Sequence, residues 1–193
     1  MQLRPHQKKA IQAMSKHNKG QVIVPTGGGK TICMIQDAIE QFKSDRLKTI
    51  VVVAPRILLA NQLCEEFLEF IDDVDVLHVH SGETHHDSTT NSKVIEEWYW
   101  ASKKHQLIFT TYHSLHKIQD ATAMLPDTVY FDEAHNAVQK NFIEAVEHHS
   151  MYVVRNFFFT ATPKHSFTPF KTGMNDTDIS VSYTHLTLPT KVR

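Results

Sequence analysis

The hydrophobic positions along the chain follow two alternating patterns. Short apolar runs, which predict buried strands, occur at residues 21–24, Thr49–Ala54, 106–110, 129–132 and 152–160. Between these runs, apolar residues recur every three or four positions, which predicts helices over residues 5–17, 30–42, 57–71, 93–104 and 134–148. A weaker alternation predicts one more strand over residues 74–80. This order predicts an α/β fold with a mainly parallel sheet and helices on both faces.

Two of the predicted helices carry conspicuous apolar side chains. The helix over residues 57–71 is expected to turn five of them inward: Leu58, Leu59, Leu63, Phe67 and Phe70. The helix over residues 93–104 contains Trp98, Tyr99 and Trp100, which can pack in a core or stack on nucleic-acid bases. Only one side of a helix can face a ligand, so core packing is the favoured interpretation.

A glycine-rich segment, Pro-Thr-Gly-Gly-Gly-Lys-Thr at residues 25–31, lies between the first predicted strand and the next helix. Glycines let backbone N–H groups approach a ligand closely, and the helix adds the positive end of its dipole. Lys30 is expected to reach the β- and γ-phosphates and Thr31 to bind Mg²⁺. The Walker A spacing has a glycine where this chain has Val24, so only its second half is matched. The predicted ATP-binding residues of this loop are Thr26, Gly27, Gly28, Gly29, Lys30 and Thr31.

A pair of carboxylates completes this predicted site. Asp132 and Glu133 directly follow the strand at residues 129–132, and the carboxyl ends of parallel strands meet at one edge of the sheet. Asp132 is expected to hold Mg²⁺, and Glu133 to orient or deprotonate the attacking water. Lys30, Asp132 and Glu133 are therefore the predicted catalytic residues, with ATP and Mg²⁺ as cofactors.

Composition sets broad limits on the function. The 193 residues are 41% hydrophobic and 21% charged, which is ordinary for one globular domain, and the net charge of −1 gives no overall basic field to attract nucleic acid. The two cysteines are expected to be reduced core thiols. The N-terminus lacks the apolar run of a signal peptide, and Pro55-Arg56 interrupts the longest apolar run, so a cytoplasmic protein without membrane contact is expected.

The end of the chain departs from the pattern. Periodicity is lost from Lys164 onward, and the segment from Val181 resembles the translation of a transposon adapter used in sequencing libraries. We therefore expect three regions: an ATP-binding domain at residues 1–163, the start of a linker or truncated continuation at 164–180, and a non-native tail at 181–193.

Three motifs in order resemble motifs I, II and III of superfamily 2 helicases: Gly-Gly-Gly-Lys-Thr at 27–31, Asp-Glu-Ala-His at 132–135 and Thr-Ala-Thr-Pro at 160–163. The spelling is similar to the DEAH-type group that includes type III restriction-enzyme motor subunits and phage helicases. The resemblance implies a RecA-like P-loop NTPase domain, the N-terminal motor half of an ATP-dependent helicase or translocase. It also implies a second RecA-like domain absent from this chain and DNA as the partner, with RNA left open.

The resemblance assigns further roles. It implies that Gln7 recognises adenine, and that His135, Thr160 and Thr162 couple the nucleotide site to the nucleic-acid track. The implied nucleic-acid contacts are Pro55, Arg56, Gln62, Thr110 and Thr111, because free backbone and hydroxyl groups at strand ends suit phosphate contacts.

The same motifs allow alternative interpretations. A nucleotide-dependent binding or remodelling module without strand separation remains open, because strand separation depends on elements beyond this domain. A P-loop kinase explains neither Glu133 beside Asp132 nor the Thr-Ala-Thr segment.

Two groups of histidines resemble metal clusters: four at positions 78, 80, 85 and 86, and the pair at 148 and 149. No cysteine lies near them in sequence, so a metal site there is disfavoured.

Overall fold

Most strands and helices alternate along the chain, and the longer elements occur in the order that the hydrophobic pattern predicts. A computed structural model describes residues 2–25 and 27–161, and the backbone alone of residues 185–187. Its helices are α1 (Pro5–Lys16), α2 (Lys30–Gln41), α3 (Ile57–Leu68), α4 (Ser92–Ala101), α5 (Leu115–Asp120) and α6 (Ile143–Tyr152). Its strands are β1 (Lys19–Ile23), β2 (Thr49–Ala54), β3 (Val74–Val79), β4 (Asp87–Ser88), β5 (His105–Thr111), β6 (Thr128–Phe131), β7 (Arg155–Thr160) and β8 (His185–Thr187).

The described strands form one sheet, in the order β4-β3-β5-β2-β6-β7-β1-β8, and all of its pairings are parallel. β2 lies near the centre, and all six of its residues are buried, as its uninterrupted apolar run predicts. β7 lies between β1 and β6. The carboxyl ends of β1, β7 and β6 therefore lie at one edge of the sheet, and those of β1 and β6 are about 10 Å apart, two strand spacings.

Each face of the sheet has its own hydrophobic core. On one face, Val22, Val52 and Phe159 pack with residues of α1, α2 and α3 such as Met14 and Met34. The opposite core contains the alternate strand positions, including Val51, Val53 and Phe131, together with residues of α4, α5 and α6. The prediction of an α/β sheet with helices on both faces is confirmed. No helix in the described part of the chain is long and apolar enough to cross a bilayer.

The predicted helix over residues 134–148 is wrong in its first half. Ala134–Asn136 forms a single 3-10 turn, α6 starts only at Ile143 and continues to Tyr152, and β7 therefore starts at Arg155 rather than at residue 152. Glu133 adopts a left-handed conformation (φ 45°), and the Asn136 side chain donates to its carbonyl (2.9 Å). Asparagine side chains compete with helical hydrogen bonds in this way, so the apolar spacing alone was misleading.

Other differences concern short elements and one helix face. α5 and β4 were not predicted, because six and two residues are too short to show a period. In α3, Leu58 is 77% exposed and Phe70, beyond the helix end, is 42% exposed, so the expectation that both face inward is wrong. The buried stripe Ala60, Leu63, Cys64 and Phe67 has helical spacing and leaves Leu58 on the opposite side.

Some predictions fall outside the described residues. These are the roles of Thr26 and Thr162, and the division of the chain beyond residue 161. Within the predicted tail, the backbone of residues 185–187 pairs in parallel with β1. The three-region division stays a prediction.

Candidate nucleotide-binding site

The glycine loop joins the end of β1 to the start of α2. Gly27 and Gly29 have φ angles of +74° and +80°, a region that residues with a Cβ rarely adopt. A Cβ on Gly29 would lie 2.2 Å from Gln7 Nε2, so a side chain there would also collide with α1. The conformation of the loop and its close approach to Gln7 therefore favour glycine at these positions.

The first turn of α1 holds this loop from the other side. The Gln7 Nε2 group donates to the Gly28 carbonyl (3.2 Å), and the Gln7 Oε1 atom accepts from the Arg4 N–H (2.9 Å). His6 Nε2 also lies 2.8 Å from the Gly28 carbonyl, and an Arg4 guanidinium nitrogen lies 3.3 Å from the Gly27 carbonyl. His6 and Arg4 had no assigned role in the sequence-based site, and only their proximity to Gln7 along the chain hinted at one.

The two predicted halves of the site meet at Lys30. Its Nζ atom lies 3.4 Å from Asp132 Oδ1 and forms an ion pair with Glu133 Oε1. Lys30 starts α2, after β1, and the carboxylates follow β6, so the ion pairs link residues at the ends of two strands that are separated by β7. Residues about one hundred positions apart thus form one charged cluster, with two carboxylates and one ammonium group.

Asp132 is the most buried member of this cluster. Burial raises the pKa of its carboxyl, and Glu133 raises it further, while Lys30 offsets part of the effect. The buried Tyr112 hydroxyl donates to the Asp132 carbonyl (2.7 Å) and fixes the backbone at this point. The apolar context of Tyr112 gave no sign of this role. An additional cation near Asp132 would favour its ionised form.

The second carboxylate oxygen of Glu133 lies near the histidine that ends the Asp-Glu-Ala-His motif. His135 Nδ1 lies 3.5 Å from Glu133 Oε2 and 3.3 Å from the Thr160 hydroxyl at the end of β7. The left-handed backbone of Glu133 directs its side chain toward this group. The contact between His135 and Thr160 is the one that the motif resemblance leads us to expect, while the coupling role of both residues stays a prediction.

The predicted nucleic-acid contacts divide into two groups. Arg56 and Gln62 are exposed, at the N-cap of α3 and on its outer face, and Pro55 is half-buried beside them. Thr110 and Thr111 are buried, and the Thr110 hydroxyl donates to the Val79 carbonyl (2.7 Å). The structure therefore does not present these two threonine side chains to a ligand, because the strand end that carries them lies inside the sheet.

The donor set fits a nucleotide triphosphate with Mg²⁺. A glycine turn and the N-terminus of α2 suit an anion, and the Lys30 ammonium group suits its terminal phosphates. The Thr31 hydroxyl and the Asp132 carboxylate supply hard oxygen ligands of the kind that Mg²⁺ prefers. The cluster of Lys30, Asp132 and Glu133 also carries one more negative than positive charge, which a divalent cation would reverse.

Residues 1–165 match the model of the family described as type III restriction enzyme, res subunit. The chain belongs to this family. The assignment made from the three motifs, to the superfamily 2 group that contains these subunits, is confirmed. No curated protein matches the chain.

Solved structures with the same fold come from several motor proteins. The nuclease-deletion mutant of the Type ISP restriction-modification enzyme LlaGI, solved with a DNA substrate mimic, superimposes with a TM-score of 0.76 at 21% identity. That comparison covers 94% of this chain and 19% of the LlaGI chain. The Hef helicase domain of Pyrococcus furiosus gives a TM-score of 0.64 at 19% identity, covering 85% and 34% of the two chains. The UvsW helicase of bacteriophage T4 gives 0.57 at 14% identity, covering 84% and 53%.

These likenesses establish the fold. The chain has the RecA-like architecture of a superfamily 2 motor domain, and it spans about a fifth of the length of LlaGI.

Proposed function

We propose that this chain is an ATP-binding motor domain that couples ATP hydrolysis to movement on DNA. The observation that carries the proposal is the convergence of Lys30 with Asp132 and Glu133 at the carboxyl edge of the sheet. Phosphoryl transfer needs little covalent help from a protein, and depends on positioning and neutralising charge. The residues at this edge supply a phosphate cradle, a mobile cation and two carboxylates.

Each residue has a distinct part in the proposed reaction. The glycine loop and Lys30 hold the triphosphate, and Thr31 with Asp132 would hold Mg²⁺, which supplies charge neutralisation at the transferred phosphoryl group. Glu133 accepts a proton from the attacking water. His135, at 3.5 Å from Glu133 Oε2, orients this carboxylate, and its contact with Thr160 links the site to the end of β7. Gln7, beside the loop, is the proposed reader of the adenine edge.

Lys30 must change partner when the nucleotide binds. In the described conformation its ammonium group neutralises the two carboxylates, and a bound triphosphate competes for the same cation. Asp132, with Thr31, would then hold Mg²⁺, whose charge would replace that of Lys30 beside this carboxylate. ATP and Mg²⁺ are therefore expected to bind together, each favouring the other.

Hydrolysis tests the role of Glu133. Glu133→Gln keeps the shape of the side chain and removes its basicity, so single-turnover hydrolysis of ATP should fall by about 10²–10⁴-fold while ATP binding is retained. Glu147→Gln, on the exposed face of α6, is the matched control and should behave as the unmutated chain. Equal single-turnover rates for Glu133→Gln and the unmutated chain would remove Glu133 from the catalytic step.

DNA is the proposed track because two Type ISP restriction enzymes of this fold, LlaGI and LlaBIII, were solved with a DNA substrate mimic and with DNA. In this chain, Arg56 is the exposed cation at the proposed contact surface. Arg56→Ala should weaken DNA binding and reduce the slope of log affinity against log salt by about 1. Arg46→Ala removes another exposed arginine, paired with Asp127 at the opposite edge of the sheet, and should leave the slope unchanged. Equal slopes for all three chains would exclude Arg56 as a phosphate contact.

A further inference from the structure

Three potential metal ligands from separate elements lie together beside β3. They are Cys64 on α3, His78 on β3 and His86 in the loop before β4. One ligand atom from each lies within 4.8 Å of the other two, and the structure brings together no other such group among residues 2–25 and 27–161. Cys64 and His78 are buried, while His86 is exposed. The cluster is therefore shielded from solvent at Cys64 and His78 and accessible to solvent at His86.

Two buried polar atoms near this cluster have no hydrogen-bond partner. His78 is fully buried, and its Nε2 atom is unpaired, as is the Oδ1 atom of Asn61. Both residues line the same cleft as Cys64 and His86, which has a volume of about 870 Å³. Buried polar atoms in native proteins nearly always have a protein or water partner. The two unpaired atoms thus point to a ligand in this cleft.

We propose that Cys64 Sγ, His78 Nε2 and one ring nitrogen of His86 bind a single Zn²⁺ ion, with the fourth position taken by a water molecule in the cleft. A thiolate with two imidazoles is a donor set that Zn²⁺ favours over the hard cations Mg²⁺ and Ca²⁺. Tetrahedral Zn²⁺ holds such atoms about 3.3–3.6 Å apart. The exposed His86 lies in a loop and can close the remaining gap, while the unpaired Asn61 Oδ1 offers an acceptor for the bound water.

Metal binding at His78 Nε2 would change where the protons of His78 and its neighbour His80 lie. The Gly82 N–H donates to His80 Nδ1 (3.2 Å), so neutral His80 carries its proton on Nε2, 3.0 Å from His78 Nδ1. In the metal-bound form the proton of His78 moves from Nε2 to Nδ1 and donates to His80 Nε2. His80 then carries its own proton on Nδ1 and releases the Gly82 contact. Neither histidine loses a proton overall, and the Cys64 thiol releases its proton to solvent on ligation.

The proposed site would fasten a polar loop to the body of the domain. Apart from the metal, one side-chain bond joins α3 to this loop, from Asn61 Nδ2 to the Glu83 carbonyl (3.0 Å). Zn²⁺ would connect α3, β3 and this loop directly. None of the three ligands belongs to the nucleotide site, so metal binding is expected to be independent of ATP.

Cobalt substitution tests the proposal on the full 193-residue chain with its thiols reduced. Co²⁺ should give a thiolate-to-cobalt charge-transfer band that saturates at one equivalent, and Zn²⁺ should displace it. His86→Ala removes an exposed ligand without disturbing the core, and should lower Zn²⁺ affinity at least tenfold. His85→Ala, the adjacent exposed histidine outside the cluster, is the matched control and should bind as the unmutated chain.

The cysteine ligand is tested in the same way. Cys64→Ala should abolish the charge-transfer band, while Cys33→Ala, which removes the other buried thiol, should keep it. Zn²⁺ should also slow proteolysis within residues 81–86 of the unmutated chain but not of His86→Ala. Absence of the band at one equivalent, or equal Zn²⁺ affinity for His86→Ala and His85→Ala, would show that the metal binds only adventitiously at other histidines and would overturn the proposal. If Cys64→Ala does not fold, the two histidine variants decide the question.

Discussion

The two halves of α2 each contribute one charged residue of opposite sign to an ion pair, and the surroundings of the two ion pairs differ. At its start, Lys30 meets Asp132 and Glu133 at the carboxyl edge of the sheet. Two turns later, Asp37 meets Arg155 at the beginning of β7, with two nitrogen–oxygen distances of 2.8 Å. Both are ion pairs between the same helix and neighbouring strands. They differ in how completely the surrounding groups satisfy the charge.

Around Asp37 every charge has several partners. The Tyr130 hydroxyl donates to Asp37 Oδ2, as does the Gln41 side-chain amide (2.8 Å). Arg155 also donates to the Met14 carbonyl (3.1 Å), which ties α1 to the same group. Asp37 is only 4% exposed, so these bonds replace solvent. Such a network stabilises the fold, because both carboxylate oxygens of Asp37 and both terminal nitrogens of Arg155 already have partners.

Around Lys30 the charged groups do not have a full set of partners within the protein. One ammonium group faces two carboxylates, and Glu133 keeps about a third of its side chain exposed (34%). A site that must accept a phosphate and a cation cannot saturate its own groups first, because the ligand would then have to displace every internal bond. The comparison therefore predicts that equivalent substitutions at the two ends of α2 affect different properties.

The largest effect is expected at the saturated end. Asp37→Asn leaves the half-buried Arg155 without its counter-charge and should lower the free energy of unfolding by about 3–5 kcal/mol. Asp45→Asn, in the exposed loop after α2, should change it by less than about 0.5 kcal/mol. Urea unfolding followed by circular dichroism gives both values. A change below 1 kcal/mol for Asp37→Asn would mean that the network contributes little to stability and that the comparison is wrong.

Lys30→Met should mainly affect the ligand. It keeps the aliphatic stem and removes the cation, so ATP–Mg²⁺ affinity should fall by about 10- to 150-fold, the value of a hydrogen bond to a charged group of about 1.5–3 kcal/mol. Lys43→Met, an exposed lysine just after α2 that pairs with Glu40, is the control and should leave affinity unchanged. Titration calorimetry measures both. Unchanged affinity for Lys30→Met would reject the phosphate role of the loop.

The sequence predicted the contacts at the Lys30 end of α2 better than those at the Asp37 end. The glycine turn, Lys30 and Asp132 follow strands in a recognisable local pattern, and parallel strands bring such ends together by rule. Asp37, Tyr130 and Arg155 come from three elements whose apolar or polar spacing reveals no pairing. Their contacts depend on which strands become neighbours, which the chain order does not state.

The same limit explains the missed cluster on β3. The four histidines at positions 78, 80, 85 and 86 are evident in the sequence, but Cys64 lies on α3 and approaches two of them, His78 and His86, only in the folded chain. Local backbone chemistry was also missed at residues 133–136, where the left-handed Glu133 and the Asn136 side chain replace the predicted helix with a turn. The sequence therefore predicted elements and strand-end motifs, while contacts across elements and side-chain caps needed the structure.

A smaller effect concerns Gln7, which lies against the glycine loop. Gln7→Glu keeps the acceptor for the Arg4 N–H and removes the donor, so it should reduce the preference for ATP over GTP by about 2- to 10-fold. Guanine presents an acceptor where adenine presents a donor. A loss of affinity that is equal for both nucleotides would show that Gln7 only supports the loop through Gly28. Competition binding with the two nucleotides separates these outcomes.

The smallest effect, and the sharpest contrast with Asp37, is expected for Asp132→Asn. Burial holds the pKa of Asp132 above its ordinary value, so the ionised carboxylate is less favourable in the folded chain than in the unfolded one. A group with a raised pKa favours folding most at low pH, and this contribution is lost as the pH rises through the raised pKa. At pH 7 the neutral amide should therefore leave the free energy of unfolding equal to or above that of the unmutated chain, while Mg²⁺-dependent ATP binding weakens. Its stability should also decline less between pH 4 and pH 7 than that of the unmutated chain.

Urea unfolding at several pH values, with the exposed Asp72→Asn as control, checks the two statements about the free energy of unfolding. A loss of stability comparable to that of Asp37→Asn would show that the carboxylate of Asp132 also stabilises the fold. Folding stability and ligand binding would then not be separated between the two ends of α2.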